Sequence, residues 1–152
     1  MTAVFAPYSY HADPAVPPFP DDKPVIVFDG LCGFCSAWAR FVMRFDRQQV
    51  FRLLAAQSAL GRALYVHYGL DPENYETNIV IMDGVPWFKS EAAIRAAGTL
   101  GFPWSLARIV RVLPLGWRDA LYDVVARNRF RIMGRRDVCF APDVKDRARF
   151  LA

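Results

Sequence analysis

Cysteine is scarce in this sequence: Cys32, Cys35 and Cys139 are the only three in 152 residues. That is too few for a disulfide-stapled secreted scaffold. Long hydrophobic runs are missing too. The longest stretches without an acid, lysine or arginine, 1–12 and 96–107, have 12 residues each, whereas a membrane-spanning helix needs about 20. No basic side chain precedes Lys23, so the early positive charge of a secretory leader is absent and a cytoplasmic location is expected. No internal repeat and no second domain boundary is visible.

Apolar residues are plentiful, at 54% of the chain. This excludes an intrinsically disordered protein. A chain of this length forms one domain, burying about 70% of its unfolded surface. The net charge of +4 is unevenly placed: residues 1–23 carry −2, residues 24–101 are neutral, and residues 102–152 carry +6. Such an excess suits either an acidic partner or a solvated face.

Six of the eleven prolines lie in residues 1–24. Residues 1–23 therefore read as an extended, proline-rich arm. Its aromatics Phe5, Tyr8, Tyr10 and Phe19 are free to pack on the domain or on a second subunit. Residues 24–152 form the domain, ending in a helical extension.

Within the domain, Val25–Phe28 is a short β-branched apolar run stopped by Asp29-Gly30, which predicts a buried strand and a turn. Phe34, Trp38, Phe41/Val42 and Phe45 then recur at helical spacing. A second strand is expected over Val50–Ala56. Ser58 is placed to cap a helix over Ala59–Tyr68, closed by Gly69. Asn78–Met82 and Val85–Lys89 flank Asp83-Gly84, a strong two-residue hairpin signal. Ser90 is expected to cap a helix over Glu91–Ala97, and two further helices are expected over Trp104–Leu113 and Trp117–Met133. The order is β-α-β-α-β-β-α: an α/β, thioredoxin-like fold with a four-stranded mixed sheet and two extra C-terminal helices.

The informative segment is Asp29-Gly30-Leu31-Cys32-Gly33-Phe34-Cys35. Two thiols three residues apart on a first helical turn can close into a disulfide and reopen. The helix start offers unpaired N–H groups and the positive end of the dipole, which stabilise a thiolate on Cys32. On this reading Cys32 is the exposed nucleophile and Cys35, one turn in, is the shielded thiol that resolves the mixed disulfide. Asp29 either fixes the turn by accepting N–H bonds or takes the Cys35 proton as a general base. Other readings stand beside this one. The thiols could be half of a zinc site, with Cys139, His67 and His11 as remaining candidates, or plain buried residues. Cys139 is either a buried small residue or a third thiol near the pair, and His67 reads as structural. A phosphatase aspartate at Asp29 is discarded, because the second acid it needs is replaced by Leu31.

The signature D-G-x-C-x-x-C resembles that of the DCC family of thiol-disulfide oxidoreductases. The resemblance runs from about Lys23 to the C-terminus. It includes Leu54-Ala55-Ala56-Gln57-Ser58, Lys89-Ser90-Glu91-Ala92-Ala93, Arg118-Asp119 with Tyr122-Asp123, and Arg131-Ile132-Met133-Gly134 through Cys139-Phe140-Ala141-Pro142. It implies a thioredoxin-like fold and protein-disulfide reductase-type activity at Asp29, Cys32 and Cys35, with no cofactor. Three features depart from ordinary thioredoxins. Gly33-Phe34 separates the cysteines, Leu31 replaces a tryptophan, and Tyr75-Glu76-Thr77-Asn78 lacks the proline that precedes the third strand.

Three hypotheses follow. The first is a cytoplasmic thiol-disulfide oxidoreductase acting on a disulfide-containing protein or a small thiol. The second is an accessory module whose basic helix, with Arg127, Arg129, Arg131, Arg135 and Arg136 interleaved by Phe130, binds an acidic partner or nucleic acid. No nucleic-acid motif supports the latter, and none is expected to bind. The third is a structural zinc protein.

Overall fold

The computed structural model describes residues 5–75, 77–135 and 144–151. Cys139, Arg136 and Glu76, singled out above, lie outside the described residues. Four strands form one mixed sheet in the order β2-β1-β3-β4: β1 (Val25–Phe28), β2 (Arg52–Ala55), β3 (Ile79–Met82) and β4 (Val85–Phe88). β1 runs parallel to β2 and antiparallel to β3, and β3 pairs antiparallel with β4. A parallel pair needs a crossover, which α1 (Gly33–Phe45) supplies. This is the architecture of a thioredoxin-like fold.

Alternation along the central strands builds two cores. Val25 and Val27 of β1 pack with Leu54, Ile79 and the Leu64 and Tyr65 side chains of α2 (Ala59–His67). Ile26 points the other way, onto Val42 of α1 and onto Ala92 and Ala96 of α3 (Lys89–Thr99). Both faces of β1 are covered, and all four of its residues are buried. This explains why its sequence is continuously apolar instead of alternating.

The arm lies on the α2 face of the sheet. Tyr10 and Val16 are buried in that core, with Phe5 and Phe19 packed against it. His67 hydrogen-bonds Ser9 and Asp13, each at 2.8 Å. His11 bonds Asp21 at 2.7 Å. Both histidines therefore serve the arm. Asp83 and Gly84 take φ of 51° and 75°, the left-handed pair that a tight hairpin needs.

Two expected boundaries are corrected. α3 begins at Lys89, with Phe88 at its cap position and no side-chain cap. Ser90 is inside the helix because Asp119 accepts its hydroxyl proton at 2.5 Å. The expected helix over Trp104–Leu113 is a 3-10 segment, Trp104–Val112, leading into α4 (Leu115–Met133). α4 packs against both α1 and α3. Side-chain contacts tether it, among them Asp119 to Ser90, Asp123 to Lys89 at 3.0 Å, and Tyr122, whose hydroxyl donates to Asn78 at 2.8 Å. Among the described residues no helix is long and apolar enough to cross a membrane.

Candidate dithiol site

β1 ends at Phe28, and the next residues turn sharply into α1. Asp29 fixes that turn. Its Oδ1 accepts the Leu31 N–H at 3.0 Å and the Gln57 side-chain amide at 2.6 Å. Gln57 in turn accepts the Gly30 N–H at 3.0 Å, so the turn is clamped to the loop after β2. Asp29 is 5% exposed. A buried carboxylate needs a compensating charge, and Arg129 of α4, equally buried, stands 3.5 Å from Oδ2.

Cys32 is the cap residue of α1, and its sulfur accepts the Cys35 N–H at 3.3 Å. One of the helix's unpaired donors is thereby aimed at a thiol. The Cys35 thiol also donates to Cys32. These bonds, together with the Arg129 charge, hold the Cys32 thiol down at about 6, from an ordinary 9.0. The same bond, with burial and the negative groups at Cys32 and Asp29, pushes Cys35 up. The surroundings thus push the two thiols in opposite directions.

Their exposure is the reverse of the expectation. Cys32 has no exposed surface, whereas Cys35 is half-buried and opens on a cavity between α1, α3 and α4. A chain crossing that no local pattern reveals lies against this turn. After α4, Gly134 accepts the Gly33 N–H at 3.1 Å and Arg135 bridges to Cys32 as a short antiparallel pair. The crossing pairs with the Cys32 backbone and occupies the first N–H of α1.

Arg129 also corrects the sequence reading. Its sequence context suggests a basic surface, but it is 4% exposed and stands beside Asp29 at the thiol site. α4 ends at Met133, so Arg135 does not continue the face of Arg127 and Arg131. The basic face is therefore smaller than its sequence suggests. Neither Arg129 nor Gln57 was singled out as a site residue. Gln57 lies in a segment of the family resemblance, but nothing local marks Arg129. Among the described residues, no three His, Cys, Asp or Glu side chains come together as metal ligands.

Two unequal thiols at a strand-to-helix junction, backed by a buried acid, define a thioredoxin-like dithiol site. The DCC1-like thiol-disulfide oxidoreductase family matches residues 26–135, and the chain belongs to that family. The uncharacterized protein YuxK of Bacillus subtilis is 31% identical over 127 residues, covering 84% of this chain and 93% of its own. A chloroplastic DCC family protein of Arabidopsis thaliana is 33% identical over 120 residues, covering 78% of this chain and 70% of its own. No solved structure matches the chain. Family and geometry together support a redox role. With one relative chloroplastic, membership does not fix a compartment.

Proposed function

We propose that this protein is a thiol-disulfide oxidoreductase of the protein-disulfide reductase type, working on a disulfide-containing protein or a small thiol. The observation that carries this reading is the Cys35 N–H aimed at the Cys32 sulfur, because it stabilises a thiolate on one member of the pair. Cys32 is the nucleophile. Its thiolate attacks a substrate disulfide, forming one S–S bond and releasing one substrate thiolate. Cys35 then loses its proton and attacks Cys32. This closes the Cys32–Cys35 disulfide and frees the second substrate thiol. The substrate gains two electrons and the pair loses two. Asp29, which lines the same cavity as Cys35, takes the Cys35 proton in that step. Because Cys32 is buried, attack follows displacement of the crossing at Gly134 and Arg135.

Single substitutions in a Cys139→Ala background test the roles, with insulin as the disulfide substrate. Cys32→Ser is expected to abolish reduction, and Cys35→Ser to accumulate a mixed disulfide with the substrate. Trapping by Cys32→Ser instead would reverse the roles. Full turnover by both variants would contradict the reading.

A further inference from the structure

Cys35 opens on a cavity of about 400 Å³, within the range of small-molecule sites. Dithiol exchange needs no such enclosure. One wall is a stripe of α4: Arg118, Leu121, Tyr122, Val125, Ala126 and Arg129. These positions recur at i, i+3, i+4, i+7, i+8 and i+11, so the cavity follows the helix for about 16 Å at 1.5 Å per residue. Trp38 and Phe34 of α1 and Val110 and Leu113 of the 3-10 segment supply the facing apolar walls.

The polar groups in this apolar slot are unbalanced. Trp38, Arg118 and Arg129 each have a buried N–H, the indole Nε1 or a guanidinium Nε, without an acceptor. All three residues line the cavity. Buried donors without partners are rare and costly, but these three atoms are closed off from the open space, so the charged groups of the cavity, and not these N–H groups, decide what it holds. The two arginines differ. Arg129 stands beside the Asp29 carboxylate, which repels an anion. Arg118 shares one carboxylate, Glu91, with Arg95 and Arg111, at 3.0, 2.9 and 3.0 Å respectively. Three guanidinium groups share Glu91, and Asp119, bonded to Ser90 of the same wall, is a second acid there, so three positive charges face two negative ones at that end of the slot.

We propose that this cavity binds a soluble, single-chain apolar anion of the aliphatic carboxylate class, with its head on Arg118 and its apolar body along α4 toward Cys35. The inference rests on the redox reading in one respect: it gives the class of apolar group that a disulfide substrate of Cys32 lays in the cavity beside the dithiol pair.

The probe is decanoate, titrated calorimetrically into the full chain, with decyltrimethylammonium as the cation of equal chain length. The expected result is saturable one-to-one binding of decanoate, about tenfold or more tighter than the cation. Decanoate is also expected to slow iodoacetamide alkylation of Cys35 in the Cys139→Ala protein. Arg118→Met is expected to weaken decanoate about tenfold. Arg111→Met, which removes another Glu91 partner from outside the cavity, is expected to change it less than about twofold. Equal affinity for the two amphiphiles, unsaturable uptake, or equal effects of the two arginine substitutions would overturn the proposal. The protection of Cys35 is measured with Arg118 in place, so an Arg118→Met protein that fails to fold leaves a decisive readout. Disulfide exchange with dithiothreitol, run on the same protein, separates the two readings. Exchange without decanoate binding removes only the cavity proposal, and binding without exchange removes only the redox reading.

Discussion

Gly33→Ala perturbs the point where the C-terminal crossing meets the thiol helix. A Cβ on Gly33 would stand 2.5 Å from the Met133 carbonyl oxygen and 3.1 Å from that of Gly134. Both obstacles are backbone, so no side chain can rotate away, and the relief is to shift the 133–135 crossing. Alanine is the better helix former by up to about 1 kcal/mol. Against this stand about 1–3 kcal/mol for overpacking and about 1 kcal/mol for the Gly33-to-Gly134 hydrogen bond. The unfavourable terms win, and the net loss is about 1–3 kcal/mol. The same shift uncovers Cys32. Two assays read this out: the urea midpoint, and the alkylation rate of Cys32 at neutral pH with Cys35 and Cys139 replaced. The midpoint is expected to fall and the rate to rise. A substituted protein of unchanged stability and unchanged Cys32 reactivity would show that the crossing neither packs on Gly33 nor seals the thiol.

Three more outcomes are expected. The depressed Cys32 thiol makes the unfolded chain bind a proton between about pH 6 and 9 that the reduced fold does not. Reduced protein therefore gains stability as pH rises through that window and loses it as pH falls toward 6. The Cys35 shift acts the other way above 9, and the oxidised form lacks both effects. Urea midpoints of the two forms at pH 6 and pH 9 check this. Asp29→Asn leaves Arg129 buried without its partner, an expected loss of about 3–5 kcal/mol; stopped-flow kinetics on the surviving folded protein should show resolution slowed more than attack. Arg149→Met strands Asp46, which is 5% exposed and meets the Arg149 guanidinium at 2.6 Å. A loss of similar size is expected in denaturant titration, with disulfide exchange preserved.

Much of the fold follows from short-range chemistry. Val25–Phe28, the Ser58 cap and the Asp83-Gly84 turn each specify local geometry, and each forms where its residues indicate. The differences come from contacts between distant segments. Ser90 has the chemistry of a cap, but Asp119, 29 positions away, captures its hydroxyl. Arg129 sits among surface arginines in the sequence, yet is buried because Asp29 needs a counter-charge. The position of the thiols at the start of a helix was legible because Cys32 and Cys35 stand between an apolar strand and a run of helical spacing. Their exposure was not, and the crossing that pairs with Cys32 comes from residues 134 and 135, about a hundred positions downstream.

The most direct test of the dithiol couple is redox equilibration of the Cys139→Ala protein in glutathione buffers of graded poise. The Cys32–Cys35 pair is followed by mass after acid quench and alkylation. The expected result is one reversible two-electron transition between dithiol and intramolecular disulfide, shifting tenfold for about every 30 mV. Two thiols that stay free under excess oxidised glutathione, or that form only glutathione adducts, would contradict a redox-active pair.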